Sequence, residues 1–291
     1  MKQVIDEAFL SQLELFSLAV KDNVAGLFGG NHKSKKYGSS CEFADYREYM
    51  EGDDITKIDW NLYGKFEKMY LKLYLDERQM RTRIYIDAST SMSFGGKDEM
   101  AVKLATALTY LSVSEMDKVN VYYLKNGHAE PIIESLVGRD SFFNEIGRMN
   151  TITFDGVCTI RDAIVNSVVG YGDGRSVIIS DFETEGDYTS AIDYLREKRR
   201  DVLCLQVLSE EELHPAFRGK TVIHDSEDLN RTYKDTINRD LLKAYQQALD
   251  QVTHRISDYC QARDADYLLV STADSMKDIF LGKLAQRGVI S

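Results

Sequence analysis

The sequence predicts an α/β protein in which helices flank a mostly parallel sheet. Short apolar runs typical of strands alternate with stretches whose apolar residues recur at helical spacing, and this alternation is typical of a parallel sheet with both faces covered. One apolar run stops abruptly at Asp87, where a loop of hydroxyl residues begins, and a later run stops at Asp181. We arrange the remaining elements around these two strand ends.

The first predicted element is a helix over 5–27, because Phe9, Leu13 and Phe16 recur at helical spacing. A later run over 69–75 alternates leucine with tyrosine or lysine, which is the period of a half-buried strand. This strand leads directly into the central one.

We predict two parts in the chain. Residues 1–80 form an N-terminal helical and β extension, and residues 81–291 form the α/β domain proper. The apolar stripe of the predicted N-terminal helix is too short to be stable alone, and helices gain most of their stability from packing of such a face, so we expect the extension to pack on the domain.

The remaining elements are predicted from the same helical spacing and strand alternation of apolar residues. Predicted strands cover 83–87, 118–124, 132–136, 175–180, 202–208, 221–224 and 266–271. Predicted helices cover 97–115, 141–149, 159–169, 188–198, 242–259 and 275–286. The helix over 242–259 is long and amphipathic, so we expect it to lie across a face of the sheet.

Acidic and aromatic residues crowd the segment before the second predicted strand. Its notable members are Glu42, Arg47, Asp53, Asp59 and Trp60. Two interpretations are open: a general acid/base pair or metal site, and a set of internal ion pairs that fixes a loop. The second is the commoner arrangement where Arg and Lys stand among the acids.

Charge and composition exclude several classes of protein. A net charge of -11 argues against general affinity for nucleic acid or anionic membrane, since both need clustered Lys and Arg. No apolar run has 18 residues, and the amphipathic start carries acids, so we expect no membrane span, no secretory signal and a cytoplasmic location. The cysteines are far apart and predict reduced thiols: Cys41, Cys158, Cys204 and Cys260.

Asp87, Ser89 and Ser91 come from one loop at the carboxyl end of a strand, where open α/β folds bind ligands. Their oxygens suit Mg²⁺ or Mn²⁺ rather than Zn²⁺. Adjacent strands lie about 4.8 Å apart, so Asp181 reaches the same ion if its strand is a neighbour. The alternative is that the two serines only cap the turn and the helix.

These motifs resemble two known patterns. Asp-x-Ser-x-Ser at 87–91, with Asp181 after a later strand, resembles the metal-ion-dependent adhesion site of von Willebrand factor A-like domains. The segment YREYMEGDDITKIDW over 46–60 resembles the signature of the bacterial family called domain of unknown function 58, which carries such a fold. The resemblance implies a von Willebrand factor A-like, Rossmann-like fold. Members are often encoded beside MoxR-type AAA+ ATPases, which implies a partner of that kind.

One loop departs from the pattern of the family. The metal-binding Thr usually follows two glycines, whereas Cys158 occupies that slot here and Thr159 follows it. A thiol is a poor Mg²⁺ ligand. Either Thr159 supplies the oxygen through a shift of one residue, or water takes the position.

The functional prediction follows from the charge of the ligands. Two neutral hydroxyls leave the ion with net positive charge, so it can take a carboxylate from another protein. We therefore expect a non-enzymatic, metal-dependent protein-interaction module. The alternative is a haloacid dehalogenase-like phosphohydrolase with Asp87 as nucleophile, but that chemistry needs an acid two residues later, where Ser89 stands.

Limited proteolysis tests the predicted packing of residues 1–80. Because the extension needs the domain to bury its apolar stripe, we expect no stable fragment that begins near Arg81 alongside a separately folded N-terminal piece. Mass spectrometry of the digest identifies the fragments, and recovery of two independently folded pieces contradicts the prediction.

Overall fold

The α/β class predicted from the sequence is confirmed. The computed structural model describes residues 4–14, 43–50, 53–74, 80–157, 159–172, 174–183, 188–216, 219–224 and 232–284. Within these ranges, six strands form one sheet, and hydrophobic clusters cover both of its faces. The chain divides into two compact units, Met1–Phe28 with Met80–Ile290 and Gly29–Gln79.

The elements are numbered in chain order. The strands are β1 (Phe43–Glu48), β2 (Tyr70–Tyr74), β3 (Arg81–Asp87), β4 (Lys118–Lys125), β5 (His128–Leu136), β6 (Arg175–Ser180), β7 (Asp201–Leu208), β8 (Gly219–His224), β9 (Thr232–Ile237) and β10 (Asp266–Ser271). The helices are α1 (7–14), α2 (Trp60–Phe66), α3 (Lys97–Ser114), α4 (Arg139–Glu145), α5 (Ile160–Asn166), α6 (Tyr188–Glu197), α7 (Glu210–Leu213), α8 (Arg239–Ala262) and α9 (Asp278–Leu284, a π-helix). None of the helices in these ranges combines the length and the apolar content that a membrane crossing needs.

The main sheet has the strand order β10, β7, β6, β3, β4, β5. Its neighbours are parallel except at the edge, where β5 runs antiparallel to β4. The central strand β3 lies between β4 and β6. Because parallel strands end at the same edge of a sheet, the loops after β3, β6 and β7 lie together.

The central strand explains how the two faces of the sheet are filled. Ile84 and Ile86 belong to the hydrophobic cluster that includes α3 and α9, whereas Tyr85 belongs to the cluster that includes α5, α6 and α8. All three side chains are 0% exposed. Because successive side chains of a strand point to opposite faces of the sheet, β3 contributes to the hydrophobic clusters on both faces. The predicted contact of the long helix with a face of the sheet is seen at Ile256 and Cys260.

The first described residues belong to the core of the larger unit. Ile5 and Leu13 lie in the cluster on the α3 face. The Asn150 side chain accepts hydrogen bonds from the backbone N–H groups of Val4 and Ile5 at 3.0 and 2.9 Å. The later part of the helix predicted over 5–27 lies outside the described residues, and the packing of residues 1–80 as a whole stays a prediction.

Most predicted elements agree with the structure to within a few residues. The predicted helix over 141–149 is instead α4 followed by a 3₁₀ helix at Ile146–Thr151. The last helix was predicted to open at Ser275: helical residues begin at Met276, the π-helical part begins at Asp278, and the Asp278 N–H donates to the Ser275 hydroxyl at 3.1 Å. Among the numbered elements, four short ones are absent from the sequence prediction: β1, α2, α7 and β9.

The buried carboxyl group of Asp117 should make the stability of the protein depend on pH. Asp117 is 8% exposed, and burial, with a contribution from Glu115, raises its pKa from 3.8 to about 6. Between these values the native state keeps a proton that the unfolded chain has released, so the free energy of unfolding falls as the pH rises and levels off above about 6. The shift corresponds to about 3 kcal/mol, at 1.36 kcal/mol per unit.

Asp117→Asn should therefore be more stable than the wild type at pH 7.5, by up to about 3 kcal/mol, and equally stable near pH 3.5. Asn keeps an oxygen that accepts the Met80 N–H, which Asp117 accepts at 3.1 Å. Urea unfolding at a series of pH values measures the difference. A constant difference across that range contradicts the assignment.

Candidate functional site at the carboxyl edge of the sheet

Asp87 ends β3 and is 0% exposed. Its Oδ2 accepts a hydrogen bond from the Ser180 hydroxyl at 2.6 Å, and its Oδ1 accepts from the Ser89 N–H at 2.9 Å. The Ser180 oxygen also accepts from the Phe182 N–H at 2.9 Å. Burial and the neighbouring charge of Asp181 raise the pKa of Asp87. The carboxyl group is therefore held in one orientation and is electrostatically coupled to Asp181.

Ser89 and Ser91 place two hydroxyl groups beside Asp87. Their Oγ atoms are 3.0 Å apart, and the residues are 0% and 8% exposed. The loop is fixed by Gly156, which forms a parallel bridge with Ser89 and accepts a hydrogen bond from the Thr90 N–H at 2.9 Å. The loop around Gly156 thus lies against the Asp87 loop.

Asp181 follows β6 and is also 0% exposed. Because β6 lies directly beside β3, the condition under which Asp181 was expected to reach the same site is met. Its Oδ1 accepts from the Glu183 N–H at 3.2 Å. Its carbonyl accepts from the Gln206 amide at 2.9 Å, and Gln206 in turn accepts from the Tyr267 hydroxyl at 2.6 Å. These bonds anchor Asp181 to β7 and β10.

Lys97 is the first residue of α3 and is 1% exposed. Its Nζ lies 2.9 Å from Oδ2 of Asp181 and 2.6 Å from Oε1 of Glu212. Burial lowers the pKa of this ammonium, but the charges of Asp181 and Glu212 outweigh the burial and raise it. A cation in the first turn of a helix opposes the helix dipole, so the position of Lys97 depends on these two carboxylates.

Glu212 is fixed by a capping box at the start of α7. The Ser209 N–H donates to Oε2 of Glu212 at 2.7 Å, and the Glu212 N–H donates to the Ser209 hydroxyl at 3.2 Å. The Asp87 loop approaches this cap at Gly95, whose φ is +59° and where a Cβ would overlap Ser209. Only a glycine fits both the backbone angle and the close approach.

The predicted metal ligand Thr159 has different neighbours. It precedes α5 as the N-cap residue, and its hydroxyl faces the turn between β4 and β5 at Gly127. Within the described ranges, no hydrogen bond joins it to Asp87 or Ser89. The prediction that Cys158 occupies the usual Thr slot falls on a residue outside those ranges.

The smaller unit holds most of the acidic segment. Arg47 Nη2 lies 2.7 Å from Asp53 Oδ1. Asp59 caps α2 through its Oδ1, and its Oδ2 lies 3.2 Å from Lys72 Nζ. Trp60 is 62% exposed. These contacts are the internal ion pairs that the structural interpretation of the segment expects.

The sequence-predicted residues thus fall into separate groups. Loops at one sheet edge bring together Asp87, Ser89, Ser91 and Asp181. The smaller unit contains Arg47, Asp53, Asp59 and Trp60. The residues outside the described ranges are Glu42 and Cys158.

Sequence reasoning missed three residues of the site: Lys97, Ser180 and Glu212. Lys97 carried a signal, since a lysine directly after two glycines at a helix start opposes the helix dipole. Ser180 precedes a predicted ligand, and Glu212 stands three residues after Ser209, which is the spacing of a capping box. The predicted residues had been sought at the ends of strands, and two of the missed ones lie in the first turns of helices.

The oxygen atoms that could coordinate a metal ion at this edge belong to carboxylates and hydroxyls. In the described part of the chain, no group of three or more His, Cys, Asp or Glu side chains is spaced to hold a metal ion. The oxygen-rich groups at the sheet edge are two carboxyl groups, Asp87 and Asp181, and two hydroxyls, Ser89 and Ser91. Hard oxygens of this kind suit Mg²⁺ or Mn²⁺.

The strand order and the site define a von Willebrand factor A-like α/β protein. Counted from β3, the Asp-x-Ser-x-Ser loop follows the first strand of the domain and Asp181 follows the fourth. The sequence model of the family described as "Protein of unknown function DUF58" matches residues 45–255. The chain belongs to this family, which confirms the family predicted from the sequence.

Two mycobacterial relatives are described as uncharacterized proteins. The uncharacterized protein Rv1480 of Mycobacterium tuberculosis is 24% identical over 236 residues, which cover 76% of this chain and 72% of that protein. The uncharacterized protein Mb1516 of Mycobacterium bovis matches to the same extent.

Two solved structures are similar in fold at low sequence identity. The conserved hypothetical protein BatB from Bacteroides thetaiotaomicron has a TM-score of 0.42 and 18% identity, covering 71% of this chain and 99% of BatB. The SpRpn10 VWA domain has a TM-score of 0.37 and 9% identity, covering 72% of this chain and 95% of that domain. Both TM-scores lie below 0.5, so the description of the fold depends on this chain's own strand order.

The contact between Gly95 and Ser209 generates a prediction with a matched control. Gly95→Ala and Gly96→Ala both place a side chain at positive φ, which costs about 1–2 kcal/mol. Gly96 has open space around it, so its variant should lose little more. Gly95→Ala also forces Ser209 to move, which adds about 1–3 kcal/mol. Equal losses of unfolding free energy in urea titrations would show that this contact does not constrain the site.

Proposed function

We propose that this protein is a non-enzymatic protein-interaction module that binds a carboxylate of its partner through a Mg²⁺ or Mn²⁺ ion at the carboxyl edge of the sheet. The observation that carries the proposal is the buried convergence of two carboxyl groups and two hydroxyls. The Ser89 and Ser91 oxygens lie 3.0 Å apart, and Asp87 is coupled to Asp181.

The charges at this edge support a cation. Asp87, Asp181 and Glu212 together carry three negative charges when ionised, against the single positive charge of Lys97. Burial of unbalanced charge is costly, and the raised pKa of Asp87 expresses that cost. A dication would offset negative charge at this edge, so the residues present fit the proposed ion.

The ligands would divide between two kinds of oxygen. Ser89 and Ser91 would supply neutral hydroxyl oxygens, and Asp87 and Asp181 would supply carboxylate oxygens. When bound, the ion would have a coordination position that these four side chains do not fill, which a carboxylate from another protein would occupy. Thr159 stays a proposed further ligand, through the loop whose Gly156 lies against Ser89.

We further propose a MoxR-type AAA+ ATPase as the partner. Membership in the DUF58 family supports this choice, because the family resemblance implies a partner of that class. An adaptor that presents a cation would recognise an exposed Asp or Glu of the ATPase.

A pull-down with the purified MoxR-type ATPase of the same organism tests the proposal. We expect retention in Mg²⁺, loss in chelator, and at least tenfold weaker retention by Asp87→Ala and by Ser89→Ala. Asp140→Ala is the control, because it removes a carboxylate from the exposed first turn of α4. Retention that is equal in Mg²⁺ and chelator contradicts metal-dependent binding.

Thermal unfolding tests the ion separately from the partner. Saturating Mg²⁺ should raise the melting temperature of the wild type, because a hundredfold excess over the dissociation constant contributes about 2.7 kcal/mol. Asp87→Ala should abolish the rise and Asp140→Ala should keep it. A wild-type melting curve that does not respond to Mg²⁺, Mn²⁺ or chelator contradicts the metal site.

A further inference from the structure

We propose that Lys97 sets the cation affinity of the sheet-edge site, because its ammonium group competes with a divalent cation for Asp181. This inference rests on the proposed function, in which Asp181 is a ligand of the ion. It adds a residue outside the Asp-x-Ser-x-Ser motif that determines how tightly the ion is held.

The contacts of Asp181 provide the first argument. Lys97 Nζ lies 2.9 Å from Oδ2 of Asp181, and Oδ1 already accepts the Glu183 N–H. Both oxygens therefore have a partner before any ion arrives. Lys97 and Asp181 are 1% and 0% exposed, so little water is present to weaken the attraction between them.

The attachment of Lys97 provides the second argument. Its ammonium is also held by Glu212 at 2.6 Å, and Glu212 is fixed by the Ser209 capping box. Gly95 closes against Ser209 two residues before Lys97. These contacts come from outside the proposed ligand set, so they keep the ammonium at Asp181. A tethered cation and a dication close together in a buried site repel each other, and the affinity for the dication falls.

A purely structural role for Lys97 makes a different prediction. Removal of one partner from a buried ion pair is destabilising whatever the function of the pair, so a loss of stability in the absence of metal does not distinguish the two roles. Competition predicts in addition that the variant binds the cation more tightly. The measurement must therefore be cation binding rather than stability alone.

Three variants of the full chain make the test specific. Lys97→Met removes the competing ammonium. The double variant with Lys97→Met and Glu212→Gln removes one positive and one negative charge, so it keeps the net charge of the cluster. It leaves fewer buried charges without a partner and serves as the second variant if Lys97→Met folds poorly. Lys103→Met is the control, because Lys103 lies on the same helix, its side chain is 34% exposed, and its Nζ lies 4.0 Å from Glu99 rather than beside Asp181.

Mn²⁺ titration followed by electron paramagnetic resonance measures the affinity, and melting curves in Mg²⁺ and in chelator report the linked stability. We expect Lys97→Met to bind Mn²⁺ at least tenfold more tightly than the wild type. The double variant should bind it more tightly by a smaller factor, because it also loses the negative charge of Glu212. The melting temperatures of both Lys97 variants should rise more in Mg²⁺ than that of the wild type. Lys103→Met should match the wild type in both measurements.

The outcomes separate this inference from the proposed function. If the wild type binds Mn²⁺ and neither Lys97 variant binds it more tightly, the inference is wrong and the proposed ion site stands. If only the Lys97 variants bind Mn²⁺, the inference holds and the metal dependence proposed for the wild type is wrong. If none of the proteins binds at millimolar Mn²⁺, both are wrong.

Discussion

The buried ammonium of Lys97 ties together the carboxyl ends of three neighbouring strands. It begins the helix that follows the Asp87 loop, and it contacts Asp181 after β6 and Glu212 after β7. A buried ion pair of this kind contributes little net stability compared with an apolar contact, but removal of one partner leaves an uncompensated charge. The arrangement of the sheet edge therefore depends on all three charged groups being present together.

Hydrogen bonds between neighbouring strands also hold this edge of the sheet in place. Tyr267, Gln206 and the Asp181 carbonyl form a chain that crosses from β10 through β7 to the end of β6. Side chains held by such bonds lose little further freedom when a ligand binds, and preorganisation of this kind favours affinity. The edge thus combines fixed side chains with a surplus of negative charge, which are the two properties that a cation site needs.

The sequence predicted the sheet and the acidic residues at its strand ends because both depend on local patterns. Apolar runs that stop at an acid mark Asp87 and Asp181, and the parallel sheet follows from the alternation of elements. Lys97 was missed because its partners are 84 and 115 residues away, and no local period encodes such a contact. β9 was missed because its sequence TYKDTI is polar and lacks a clear apolar alternation, and its pairing with β8 is a contact that no local pattern encodes. The capping residues around α7 were missed because a helix of four residues gives no periodic signal.

The Ser180 hydroxyl carries a single hydrogen, and the structure gives it two bonds. The Phe182 N–H donates to its oxygen at 2.9 Å, and its own hydrogen is donated to Asp87 at 2.6 Å. Alanine or valine at the end of β6 would break both bonds, whereas threonine would keep them. In diverged relatives of this protein, the dipeptide of a hydroxyl residue and aspartate is therefore a more informative marker of this strand end than the aspartate alone.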